Sequence, residues 1–150
     1  MNFLEKNLED IIFDTPNERL QERGLDISGI KKRQVSIGNY GICDLISIER
    51  EGNSFYIKVY ELKKELINVD AFLQAVKYKK GIERYFEKHL SKKGWICQVS
   101  IVLIGKTIDT KNSFCYLSEY TGFDFFTYDY NFDGINFTQQ YGYSKINEGF

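Results

Sequence analysis

The chain reads as an α/β protein built on a mixed β-sheet, and three stretches point to it. From Ile42 to Lys64, ICDLISIEREGNSFYIKVYELKK, two runs rich in Ile, Val and Tyr flank Glu51-Gly52-Asn53-Ser54. Gly-Asn is among the two-residue loops that favour a tight turn, so this stretch predicts an antiparallel hairpin. From about Asp70 to Leu90, Phe72, Leu73, Val76, Ile82, Tyr85 and Phe86 recur at helical spacing. Trp95 to Gly105, WICQVSIVLIG, is almost continuously apolar, as a central strand buried on both faces should be. Strand, helix and strand in that order predict a right-handed parallel crossover beside the antiparallel pair.

Composition bounds the rest. A chain of 150 residues with 43% hydrophobic content fits a single domain, 1–150, with a sizeable core, and 1 Pro with 12 Gly exclude a collagenous or low-complexity chain. No apolar run approaches a membrane span, and MNFLEKNLED lacks the basic and apolar regions of a signal peptide, so a cytoplasmic protein is expected. Cys43, Cys97 and Cys115 are widely spaced, without a CxxC pair, and read as reduced core residues rather than a disulfide framework or zinc site. Residues 1–110 carry 18 Lys/Arg against 16 Asp/Glu, and 111–150 carry 2 against 5. Neither part is the strongly basic domain of a nonspecific nucleic-acid binder, so such a contact must come from a local patch.

In chain order, Asn2 to Glu5 is close to a capping box, and Leu4, Leu8, Ile11 and Ile12 define a first helix with Glu5 and Glu9 on one side. Thr15-Pro16-Asn17-Glu18 signals a second, with Pro at its first position and Gly24 at its end. An entry strand follows near Arg33 to Ile37, then a turn at Gly38-Asn39-Tyr40-Gly41. The cations Lys31, Lys32 and Arg33 before it are either a solvated strand edge that discourages pairing or a nucleic-acid contact. In the long helix Gly81 is a candidate interruption. Gln74 and Tyr78 share one of its faces, with Lys77, Lys79, Lys80 and Arg84 around them. His89 reads as a surface histidine. Asn112 to Tyr120 suits a short helix, and FDFFTYDYNFDGINFTQQYGY suits an aromatic-rich hairpin turning at Asp133-Gly134. The core therefore spans about 1–110. Residues 111–150 form an extension packed on it or serving as an interface.

The chemistry concentrates at the first hairpin. With Gly52-Asn53 as the loop, Glu51 faces Ser54, Ser47 faces Lys58 and Asp44 faces Glu61, with opposed Cα atoms about 4.5–5.5 Å apart. Lys63 lies two residues past Glu61 and points the same way, and Ile46, Ile48, Ile57 and Val59 continue that face. Like charges directly opposed are destabilising, and buried carboxylates need a cation or a proton. A divalent metal between Asp44 and Glu61 meets that need and suits phosphodiester hydrolysis: carboxylates bind Mg²⁺ or Mn²⁺ while leaving positions for water and a phosphate oxygen. Lys63 would orient or deprotonate that water, or neutralise the phosphate. Alone, Asp plus Glu-x-Lys is a weak motif. The hairpin register, the Gln74-x-x-x-Tyr78 pair and the acidic first helix add to it.

These residues resemble the PD-(D/E)XK nuclease superfamily, and within it the chain looks most like the nuclease domain of the NucS (EndoMS) mismatch endonucleases. The likeness covers about Leu4 to Phe86: LEKNLEDIIFDTP, QVSIGNYGICDLI, VYELKK and FLQAVKY. It implies a restriction-endonuclease-like three-layer α/β/α fold with a central mixed sheet, to which the aromatic hairpin is added. It implies Glu5, Asp44 and Glu61 as metal-site acids with the Leu62 carbonyl completing the shell, Lys63 as the catalytic lysine, and Gln74 with Tyr78 supporting the site or touching the substrate phosphate. Glu9 competes with Glu5. The family's DNA-binding and dimerisation domain has no counterpart in this sequence, which weakens transfer of mismatch specificity.

The expected activity is thus a Mg²⁺- or Mn²⁺-dependent DNA endonuclease in repair, recombination or defence, with Lys31, Lys32, Arg33, Lys64 and Lys77 toward DNA. The alternative is a catalytically inactive module of the same fold that binds nucleic acid or protein. A homodimer, or a further protein partner at the aromatic tail, is the expected assembly.

Overall fold

Gly52 takes a left-handed backbone (φ +60°) and turns the chain between two long strands. Their pairing runs from Glu51 opposite Ser54 to Leu45 opposite Tyr60, the register expected from the sequence. The computed structural model describes residues 5–109, 114, 116, 117, 119 and 122–140. In order they form α1 (Glu5–Asp14), α2 (Asn17–Glu22), β1 (Ile30–Ser36), β2 (Ile42–Glu51), β3 (Ser54–Leu62), β4 (Leu66–Ile67), α3 (Val69–His89), β5 (Ile96–Gly105), β6 (Thr107–Ile108), β7 (Phe123–Asn131) and β8 (Gly134–Gln140). The main sheet is mixed and six-stranded, in the order β1-β2-β3-β5-β7-β8. β1, β2 and β3 are antiparallel, β3, β5 and β7 are parallel, and β8 returns antiparallel to β7. β4 and β6 form a short parallel pair.

Both sheet faces are covered. Leu45, Tyr60, Leu62, Val102, Ile104, Phe126 and Phe137 pack with Leu8 and Ile12 of α1 and Leu20 of α2. Ile46, Ile57, Val59, Val99, Ile101, Leu103 and Phe125 pack with Ala75, Tyr78 and Ile82 of α3. Alternation along each strand feeds the two cores in turn, so β5 is buried on both sides, as its apolar run predicts. Among the described residues no helix is long and apolar enough to cross a membrane.

Several expectations shift. α3 is continuous through Gly81. Leu73 and Tyr85, expected in its core face, are 55% and 56% exposed, and the buried stripe is Ala71, Ala75, Tyr78, Gly81 and Ile82. Pro16 stands just before α2 rather than at its first position. The second hairpin turns at Phe132-Asp133, since Asn131 already pairs with Gly134, and its strands belong to the main sheet. Asn2, Cys115 and most of the stretch Asn112 to Tyr120 lie outside the described residues.

Two glycines are required by close approach. Gly24 (φ +98°) lies against the outer edge of β8, where an added Cβ would sit 2.0 Å from the Phe137 carbonyl oxygen. Beside it the Phe137 amide donates to the Arg23 carbonyl at 2.7 Å. Gly81 lets the turn before β2 press onto α3: a Cβ there would lie 2.5 Å from Ile37 Cγ2 and 2.8 Å from the Tyr40 ring. Helix propensity alone favours Gly81→Ala by about 1 kcal/mol. The overlap reverses the sign, and the variant is expected to lose about 1–3 kcal/mol in urea unfolding; a stability gain would show that the turn yields freely.

Candidate active site

β3 carries a carboxylate into an apolar setting. Glu61, one residue from the strand's end, is 9% exposed. Burial pushes its carboxyl up to about 7, the Lys63 ammonium pulls it back, and the Asp44 and Glu5 carboxylates add to the rise. Lys63 Nζ stands 3.7 Å from Glu61 Oε1. The two-residue spacing thus brings the cation to the acid, as expected of Glu-x-Lys.

Asp44 is placed by a kink that alternation does not anticipate. Cys43 and Leu45 should share a face, yet Cys43 belongs to the core beneath α3 and Leu45 to the core beneath α1 and α2. On β1 the pairs Arg33–Leu45 and Val35–Cys43 leave out Gln34 opposite Asp44, and Gln34 adopts φ +50°. The β2–β3 ladder likewise stops at Leu45–Tyr60, one step short of Asp44 and Glu61. Asp44 is exposed at this reversal. Gln34 Nε2 donates to Asp44 Oδ1 at 3.2 Å and to Glu9 Oε1 at 3.0 Å.

Glu5 and Glu9 of α1 reach this end of the sheet by different routes. Glu9 is 4% exposed, and its other oxygen accepts from Arg33 and, at 3.3 Å, from Lys6. Glu5 is exposed and accepts the Lys64 backbone amide at 3.4 Å. On α3, Gln74 donates to the Tyr78 hydroxyl, which donates to the Ile42 carbonyl at 2.8 Å and so fixes the start of β2. Burial raises the Tyr78 pKa; the Gln74 hydrogen bond opposes this, and Glu61, Cys43 and Asp44 add to it. Lys63 N–H donates to Ile104 of β5 at 2.8 Å. Because successive residues of a strand alternate their hydrogen-bonding side, the Leu62 carbonyl turns the other way, toward β2.

The basic residues divide. Lys31 Nζ donates to the Ile12 and Thr15 carbonyls at the C-terminal end of α1, and Arg33 binds Glu9 and Asp10 while lying 4.9 Å over the Phe13 ring. Those two cations are engaged with the first helix. Lys32 and Lys77 are exposed and Lys64 is half-buried. Gln34 escaped the sequence reading because a glutamine in a strand carries no signal of its own. So did a cavity of about 700 Å³ between β1, β2 and the C-terminal half of α3, floored by Ile46, Ile48 and Ile57.

The chain matches no family model, no curated protein and no solved structure.

Among the described residues no three His, Cys, Asp or Glu side chains are grouped to hold one ion. A Mg²⁺-like ion asks for less, since one or two carboxylates with carbonyl, water and phosphate oxygens suffice. Asp44, whose charge acts on Glu61, and Glu61 itself are the carboxylates that could serve, with the Leu62 carbonyl as a further oxygen, and the raised Glu61 carboxyl is one that a bound cation would relieve.

Glu61 also makes stability depend on pH. Its folded pKa, about 7, exceeds the ordinary glutamate value of 4.5, so the folded state binds the proton more tightly. The benefit is complete below about 4.5 and is lost as pH rises through about 7, on the order of 3 kcal/mol in all. Glu61→Gln is expected to flatten urea stability between pH 5 and pH 8 and to exceed the natural chain at pH 8. A slope that persists in the variant would assign it to another group.

Proposed function

We propose that this chain is a metal-dependent DNA endonuclease with a restriction-endonuclease-like fold of the PD-(D/E)XK type, hydrolysing phosphodiester bonds in repair, recombination or defence. The observation that carries this reading is the Lys63 ammonium held 3.7 Å from a buried Glu61 at the strand end that faces Asp44. Asp44, Glu61 and the Leu62 carbonyl are the residues to hold Mg²⁺ or Mn²⁺. Such an ion lowers the pKa of coordinated water and offsets charge on the pentavalent phosphorus.

Lys63, as an ammonium, takes the side of the attacking water and orients it by donating a hydrogen bond, or pairs with the phosphate as charge builds. Glu5 or Glu9 supplies further negative charge from α1. Gln74 and Tyr78 act through the Ile42 carbonyl by fixing where β2, and hence Asp44, begins. Lys32, Lys64 and Lys77 are the cations left to meet DNA, because Lys31 and Arg33 are engaged by the first helix. A catalytically inactive module would be favoured by a Lys63 turned away from the acids, and here it is turned toward Glu61. Tyr130 and Phe132 at the β7–β8 turn are exposed and suit a protein partner or a second copy.

With Mg²⁺ or Mn²⁺, the purified chain is expected to nick or cut members of a panel of duplex, branched, mismatched and single-stranded DNAs. Glu61→Ala and Lys63→Ala should each slow cutting by about 10²-fold or more while circular dichroism stays unchanged. Cutting at the natural chain's rate in both variants would end the proposal.

A further inference from the structure

Gln34 stands where the two halves of the site meet. Its one amide nitrogen donates to Glu9 Oε1 at 3.0 Å and Asp44 Oδ1 at 3.2 Å, joining Glu9 of α1 to Asp44 of β2. Among the described residues it is the one non-glycine at positive φ, in the middle of a strand. Left-handed backbone is disfavoured for a side chain of this kind. It falls at the pair missing from the β1–β2 ladder, where Cys43 and Leu45 pass to opposite cores. Without the kink, alternation would bury the Asp44 side chain or turn it away from α1. With the kink, Asp44 is exposed at the strand end that also holds Glu61.

We infer that Gln34 is a positioning residue for the hydrolytic site: its backbone turns β2 so that Asp44 emerges between the two cores, and its amide fixes the direction of the Asp44 carboxylate through Glu9. Glu9 is itself held by Arg33 and Lys6, so the chain Arg33–Glu9–Gln34–Asp44 runs from a partly buried ion pair to the exposed carboxylate. Residues in this position around a metal set the orientation of the groups that touch it, and their loss costs about 10- to 100-fold in affinity or activity. The reaction served is that of the proposed nuclease, on which this role rests.

The test compares Gln34→Gly, Gln34→Leu and Gln34→Asn with the natural chain. Glycine accepts φ +50° freely and lacks the amide. Leucine keeps most of the bulk without the donor, and asparagine tolerates the backbone but is one methylene short of both carboxylates. In Gln34→Gly the thermal midpoint should be unchanged or higher, while Mn²⁺ affinity measured by calorimetry falls about tenfold or more. kcat for DNA should fall with KM unchanged, and asparagine should not rescue it. A separate arm follows the Asp44 carboxyl ¹³C signal in metal-free protein, which should be ordered in the natural chain and motionally averaged in Gln34→Gly and Gln34→Leu. If the natural chain neither binds Mn²⁺ nor cuts DNA, the nuclease reading fails and the ¹³C arm still decides whether Gln34 holds Asp44. An Asp44 signal equally ordered in all four proteins, or Mn²⁺ affinity unchanged in Gln34→Gly, would overturn the role.

Discussion

The pairing of β2 with β3 is the constraint on which the other features depend. Because both sheet faces are buried, its register is specified twice: Leu45 and Tyr60 must meet α1 and α2, while Ile46, Ile57 and Val59 must meet α3. A slip of one residue would exchange the two sets and strip both cores. With that register held, the end of β3 has no freedom left. Leu62 enters one core, and Glu61 is forced against the other with Lys63 beside it. The burial of the acid follows from packing around it, and its raised pKa follows from the burial.

Two glutamates are buried at this end of the molecule, and their surroundings separate them. Glu9 has a guanidinium, an ammonium and an amide as partners, so its charge is compensated within the fold. Glu61 has Lys63 at 3.7 Å and two neighbouring acids, and its charge is compensated poorly. A fold selected for stability alone would supply a closer partner or an apolar residue there. Uncompensated charge at the mouth of a strand pair is what a cationic ligand can use, and the well-paired Glu9 serves to keep neighbouring groups in place.

Much of this was legible in the sequence wherever periodicity governs. The hairpin turn and its register, the long helix, the buried parallel strand and the approach of Lys63 to Glu61 all follow from spacing of two or of 3.6 residues. Three features were not legible, for physical reasons. The kink at Gln34 and Asp44 reverses the alternation on which the reading of Asp44 relied. Gly81 looks like a helix breaker when considered alone, and its reason is a turn more than 40 residues away in the chain pressing on it. Leu73 and Tyr85 fit the apolar helical stripe but lie outside it, because α3 meets the sheet through Ala71, Ala75, Tyr78, Gly81 and Ile82. Local pattern and global packing disagree at such places, and in proteins that disagreement gathers near functional sites.

The contact between Arg23-Gly24 and Phe137 links residues more than 100 positions apart. It covers the free edge of β8 in mid-strand, where an unpaired row of amides invites association between chains. During synthesis the first hairpin is complete long before Phe137 emerges, and α2 must wait for β8 to supply that side of its core. Until then the leading helices stand beside an unfinished sheet, so this latch is a long-range closure whose entropy is repaid late. A chain built this way exposes its sheet edge to neighbours while it folds and interrupts that edge at its middle once it has finished.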